Sequence, residues 1–85
     1  LTGFSSKSYL LVVRYNTSFN SDIMAKALNH YCKKYRLRMK NTSDDTVEAI
    51  YELNLRNGAD SVMVEKIADL DGILSVNLVS SNEEI

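Results

Sequence analysis

The sequence predicts an α+β sandwich in the order β-α-β-β-α-β: a four-stranded antiparallel sheet with two helices on one face. Three observations predict it. Four segments carry the β-branched, aromatic or alternating apolar residues of strands. Two segments repeat apolar residues at helical spacing. Clusters of Asn, Asp, Ser and Gly fall between them, where the chain must turn. With 85 residues there is room for one domain, read as 1–85 with its core in 8–80. At 45% hydrophobic and 25% charged the composition is that of a globule rather than a disordered chain.

Residues 1–7 (LTGFSSK) form a polar lead-in without periodicity. Residues 8–15 (SYLLVVRY) are nearly continuously apolar and too short for a typical helix, which suits a central strand covered on both faces. The loop at 16–22 (NTSFNSD) ends in capping residues, Asn20 or Ser21, with Asp22 placed to favour the helix dipole. Met24, Ala27, Leu28, Tyr31, Cys32 and Tyr35 then form a helical stripe, and Lys33 and Lys34 fall in the last turn, where positive charge is stabilised.

From there the period changes to two. Arg36, Arg38 and Lys40 alternate with Leu37 and Met39, giving a strand with one wet and one dry face. A five-residue turn, NTSDD at 41–45, leads into a second alternating run. There Val47, Ala49, Tyr51, Leu53 and Leu55 oppose Glu48, Ile50, Glu52, Asn54 and Arg56. In this hairpin Arg36, Arg38 and Lys40 share the outer face with Glu48 and Glu52, opposite charges across the strands.

Asn57 and Gly58 end the third strand. Asp60 or Ser61 caps a second helix, whose stripe is either Val64, Ile67, Ala68 and Leu70 or Met63, Ile67 and Leu70. Gly72 stops it. Residues 73–80 (ILSVNLVS) make the last strand, with Leu74, Val76 and Leu78 on one face and Ser75 and Asn77 on the other. The acidic tail at 81–85 is expected to fray. Right-handed crossovers for the two β-α-β units give the ferredoxin-like arrangement with strand order 4-1-3-2, which leaves the basic second strand on an edge.

Reactive groups are few. His30 is the one histidine, and Cys32, the one cysteine, follows it on a different side of the predicted helix. They are read as an exposed ring and a core thiol rather than a nucleophile–base pair. One cysteine also excludes an internal disulfide and a Cys-based zinc cage. Glycines at 3, 58 and 72 form no phosphate-binding loop. Asp44 with Asp45, Asp69 with Asp71 and Glu83 with Glu84 occupy a turn, a helix stop and the tail, without the alternating oxygens of a calcium loop. No catalytic residue, metal site or cofactor is expected, and the chain is read as no enzyme.

Three surface features remain. Lys33, Lys34, Arg36, Arg38 and Lys40 form a basic strip, which reads first as dipole compensation and protection of an edge strand. An anion, RNA or acidic lipid headgroups would also suit it. RNA is the weaker alternative, because strand three (TVEAIYELNLR) lacks the aromatic pattern of the RNA recognition motif and the net charge is -1. Thr17, Ser18, Asn20 and Ser21 could bind a small-molecule effector or anion at the N-terminus of helix one. Strand one is apolar on both sides, Tyr9, Leu11, Val13 and Tyr15 against Leu10, Val12 and Arg14. A dimer face built from Tyr9, Leu11, Val13, Tyr15 and Ile50 is therefore expected, with a second copy covering the sheet.

The stretch YELNLRNGADSVMVEKIADLDGILSVNLVS at 51–80 resembles ACT-like regulatory domains, with its E-L-x-L strand, Gly-containing turn, helix and closing L-D-G-I-x-S-V-x-L-V. More narrowly it is similar to cytosolic C-terminal domains of bacterial membrane proteins. These are the MgtC/SapB type and an uncharacterised membrane family found beside polyphosphate-polymerase-like proteins. YLLVVRYN and KKYRLRMK are compatible, so the likeness spans about 8–80. It implies a non-catalytic regulatory module at the cytoplasmic face of a bacterial inner membrane, pairing with itself and with the membrane portion of its parent chain. The opening on Leu1 rather than Met fits a fragment of a longer protein. One departure stands out: amino-acid-binding ACT domains carry an Asp-x-Pro-Gly type loop after strand one, whereas NTSFNSD has neither Pro nor Gly.

Overall fold

The computed structural model describes residues 8–80; the lead-in at 1–7 and the tail at 81–85 lie outside them. Strand β1 (Tyr9–Asn16) runs through the middle of the sheet, antiparallel to both of its neighbours. Its alternate residues Leu11, Val13 and Tyr15 are buried, while Leu10 and Val12 on the other face are only half-buried. The strand therefore has a helix-covered inner face and an open outer face.

Helix α1 (Ser21–Tyr31) is capped by Asn20, one of the two expected residues, whose side-chain oxygen accepts the Asp22 N–H at 2.8 Å. It buries Met24 and Leu28. It stops at Tyr31, four residues short of the predicted stripe, because Cys32 is already extended at φ -112°, ψ 142°. Cys32 and Tyr35 instead begin β2 (Cys32–Ser43), opposite Leu55 and Leu53. Lys33 and Lys34 are thus strand residues and do not compensate the helix dipole. Arg56 occupies that place: its Nε donates to the His30 carbonyl at 3.1 Å and its Nη2 to that of Asn29 at 3.4 Å.

Strand β2 turns into β3 (Thr46–Leu55) through Asp44 and Asp45 alone, since Ser43 already pairs with Thr46. The predicted five-residue turn is shorter by three, because Asn41, Thr42 and Ser43 stay in the ladder. Asp44 sits at φ 49°, a left-handed conformation that Asp tolerates. After Gly58 (φ 72°), helix α2 (Asp60–Ala68) has Ala59 at its N-cap and no side-chain cap bond, so neither Asp60 nor Ser61 caps it. Asp60 still lies in the first turn, favourable to the dipole. Met63 and Ile67 are the buried stripe, with Leu70 packed at its end.

Gly72 at φ 98° then swings the chain into β4 (Ile73–Ser80). A Cβ there would meet a ring carbon of Phe19 at 3.4 Å, an ordinary contact, so it is the backbone conformation that calls for glycine. A register shift follows: Tyr15 pairs with Ile73 and Arg14 with Ser75, which drops Leu74 from the ladder. Leu74 is 49% exposed, and Ile73, Val76 and Leu78 pack against the core in its stead. The sheet order is β2-β3-β1-β4, the expected 4-1-3-2 read from the other side. Both helices contribute to one core with the inner face of β1 and β3, centred on Leu11, Val13, Leu28, Leu53, Met63 and Ile67.

Candidate interaction surface

The face without helices is assembled from alternate residues of all four strands. Val12 pairs with Ile50 and Leu10 with Glu52; outside them lie Met39, opposite Ile50, and Val79, opposite Leu10. Val79 is 49% exposed and Met39 36%. Ser8, Leu10, Arg38, Met39, Ile50 and Glu52 line a broad, open hollow of about 500 Å³. Towards the β2–β3 turn the face becomes polar, with a smaller hollow of about 220 Å³ bordered by Arg14, Asn41, Asp45 and Glu48.

The expected dimer face divides between the two sides of the sheet. Leu11, Val13 and Tyr15 are buried in the helix-covered core, and Tyr9, which lies in their phase, packs against it. None of the four can meet a second copy on the open face, because residues that alternate along a strand share one side. Ile50 alone of that set is on the open side, next to Val12. Leu10, Val12, Met39 and Val79 are its companions there. The last two escape the period-two pattern: Met39 reaches the open face through a register shift after Leu37, and Val79 is legible only once the sheet order places it beside Leu10.

The same register shift splits the basic strip. Arg36 pairs across the ladder with Glu52, and Arg38, displaced at the shift, turns to the same carboxylate. The Arg36 Nη2 and Nε lie 3.3 and 3.4 Å from Glu52 Oε1, and the Arg38 Nη1 lies 2.6 Å from it. The hydrogen bond from Arg36 first, and then Arg38, holds the Glu52 carboxyl below its ordinary range. Lys40 comes to stand opposite Ala49, in the inner phase, and so leaves the Arg36–Glu52 face on which the simple alternation puts it, whereas Glu48 keeps to that face as expected, opposite Arg14 and Asn41. All five cations, Lys33, Lys34, Arg36, Arg38 and Lys40, are exposed along β2.

Thr17, Ser18, Asn20 and Ser21 are also exposed, at the start of α1. The loop that carries them is tied down from within. The Asn16 N–H donates to the Gly72 carbonyl at 2.9 Å, that of Thr17 to Asp45 at 3.0 Å, and that of Phe19 to Asn16 at 2.9 Å. The Asn20 side chain is engaged as the helix cap. Phe19, which has no part in the sequence pattern, plugs the loop into the core with its ring centroid 5.0 Å from that of Tyr15.

Elsewhere, the strand tyrosines Tyr9, Tyr35 and Tyr51 share the inner phase of Leu53 and Leu11. They do not form an aromatic platform on the open face of the kind that stacks RNA bases. His30 is exposed, edge-on to Tyr31 at 4.6 Å. Cys32 is buried, and burial pushes its thiol up to about 11 against the opposing charge of Arg56. Among the described residues no helix is long and apolar enough to cross a membrane.

No protein-family model and no curated protein matches the sequence. Solved structures do match. The C-terminal domain of the MgtC protein from Mycobacterium tuberculosis superposes with a TM-score of 0.68 at 12% identity, covering 95% of this chain and 94% of that one. The ACT domain of GTP pyrophosphokinase from Chlorobium tepidum gives 0.65 at 10% identity, covering 88% and 100%. The fold is ACT-like. At such identity the likeness is one of architecture, and it extends over the whole sandwich rather than over the motif at 51–80 alone. Within this ACT-like frame, the loop after β1 spends the N–H groups of Asn16, Thr17 and Phe19 on internal bonds.

Proposed function

We propose that this ACT-like chain is a non-catalytic regulatory or protein-interaction domain that self-associates through its sheet and serves a bacterial membrane protein from the cytoplasmic side. One observation carries the reading: helices cover one face of the sheet, and the other presents Leu10, Val12, Met39, Ile50 and Val79. Apolar residues grouped on an uncovered sheet face mark an interaction surface. Similarity in fold to the C-terminal domain of MgtC supports the placement on a membrane protein, and similarity to the ACT domain of a pyrophosphokinase supports a regulatory role. A dispersed His30 and a buried, high-pKa Cys32 supply no reactive centre. Sedimentation velocity of the 85-residue chain at micromolar concentration tests the self-association. A dimer is expected; a strict monomer overturns it.

A further inference from the structure

Charge is divided unevenly over the molecule. Strand β2 holds five of the chain's ten Lys and Arg and none of its eleven Asp and Glu, so the rest of the chain is acidic. On the far side of the sheet α2 packs against β4 and presents Asp60 and Glu65, with Asp69 just beyond its end. One edge is therefore a positive rim and the opposite flank is negative, a separation that the net charge of -1 conceals.

Protection of an edge does not account for the rim. A bulge or a single lysine turns away a further strand, and β2 has two bulges before any cation is counted. Nor is the rim neutralised from within. Glu52 engages Arg36 and Arg38, but among the described residues no ion pair engages Lys33, Lys34 or Lys40, and all three are exposed. Between them stands Leu37, opposite Tyr51 in the inner phase yet 49% exposed. The register shifts send the cations to both sides of the strand, Arg36 to the open face and Lys40 to the inner phase. At about 3.3 Å per residue, the span from Lys33 to Lys40 is roughly 23 Å.

We propose that the β2 edge docks on an anionic lipid surface, with Lys33, Lys34 and Lys40 against headgroup phosphates and Leu37 entering between them. This rests on the reading that the chain serves a membrane protein, and it names the surface that meets the bilayer. Cations fanned to both sides of one edge suit a plane, because their long stems let the charged ends bend to it. An exposed leucine among them gains from the acyl boundary and would gain nothing from a nucleic-acid backbone. The strand tyrosines lie in the inner phase, so no aromatic platform accompanies the rim to stack bases. The acidic flank at α2 is repelled by the same surface and turns away from it, which fixes the orientation and leaves the open face free for a second copy.

Co-sedimentation of the 85-residue chain with vesicles tests this. Vesicles of equal parts phosphatidylcholine and phosphatidylglycerol are expected to bind it at about 0.05 M salt and release it at about 0.5 M. Vesicles of phosphatidylcholine alone are expected to leave it in solution. Each lysine near an anionic surface multiplies the partition about fivefold, so Lys34→Ala should weaken binding about fivefold, and about 30-fold when combined with Lys33→Ala. Lys66→Ala, on α2 at the acidic flank, makes the same change in net charge as Lys34→Ala and should weaken it less than about twofold. Leu37→Ser should weaken it severalfold without altering its dependence on salt. Circular dichroism checks that each variant keeps its fold. Absence of binding to the anionic vesicles overturns the proposal, as does equal binding to phosphatidylcholine alone or an equal loss in Lys34→Ala and Lys66→Ala. Binding of single-stranded poly-U RNA without binding of vesicles assigns the rim to nucleic acid and overturns the lipid contact. Sedimentation velocity without lipid reads self-association separately. A dimer that ignores vesicles overturns the lipid contact and leaves self-association in place, and a monomer that binds them does the reverse.

Discussion

Strands β2 and β4 close the same sheet from opposite sides, yet they meet solvent with opposite chemistry. Along β2 five of the twelve residues are cations and the ladder breaks twice; along β4 Leu74 and Val79 are each half-exposed and nothing is charged. The central strands alone do not explain the contrast, because β1 and β3 pair as regularly with each other as a ladder allows. What differs is what each edge is placed to meet. Cations line the β2 side, while Asp60 and Glu65 of α2, which packs against β4, line the other.

That contrast can be broken by making the edges alike. Replacing Lys33, Lys34, Arg36, Arg38 and Lys40 by Thr removes the charge from β2, leaves it β-prone, and gives the sheet two uncharged edges. The expected outcome is growth past the dimer into large species, visible as light scattering and as a broad, fast-sedimenting boundary. A variant that stays dimeric would mean that the two register shifts guard β2 without help from charge.

The cations near β2 are not equivalent, and their separate roles sharpen the comparison. Arg56 holds the end of α1 through the Asn29 and His30 carbonyls, and its own backbone N–H donates to Tyr31 at 3.0 Å. Arg56→Ala should destabilise the fold by about 1 kcal/mol, the scale of a lost charged hydrogen bond at a helix C-terminus near the surface. Lys34→Ala should stay within about 0.5 kcal/mol, as expected of an exposed side chain far from such a feature. Urea midpoints compare the two. Equal losses would return Lys34 to the helix end, where the stripe of Tyr31, Cys32 and Tyr35 first places it.

That stripe shows how far the sequence is legible. All six elements, their order and the sheet order follow from periodicity and turn residues, because the short, nearly continuous apolar run at 8–15 and the alternation along 47–55 both read as strands. The end of α1 does not, because Cys32 and Tyr35 fit a helical stripe as well as the inner face of a strand. Long-range pairing with Leu55 and Leu53, together with Arg56 at the helix end, settles it. The two bulges next to Arg38 and Leu74 are equally silent in the pattern. Each shifts the alternation by one residue, which exposes Leu74, carries Met39 to the open face and turns Lys40 away from it. For the interaction surface, the expected Ile50 lies on the open face, but Leu11, Val13 and Tyr15 go to the core because both sides of β1 are apolar and only the helices decide which is inner.

The smallest effect separates the edges by acidity. Among the described residues Glu52 is the carboxylate set between Arg36 and Arg38, and their hydrogen bonds lower its pKa from the ordinary 4.5. A carboxyl whose folded pKa is depressed adds stability that is fully present above the unfolded value and disappears as pH falls through the folded one. The chain should therefore be more stable than Glu52→Gln at neutral pH, and the difference should shrink to nothing well below 4.5. Because Glu52 is solvent-exposed in effect, salt should erode the same difference. Strand β4 carries no group that titrates in this range, so the effect belongs to the β2 side of the sheet. Urea midpoints of the two chains across the acid range read it. A difference that persists well below 4.5 would mean that Glu52 acts through its packing and not through its charge.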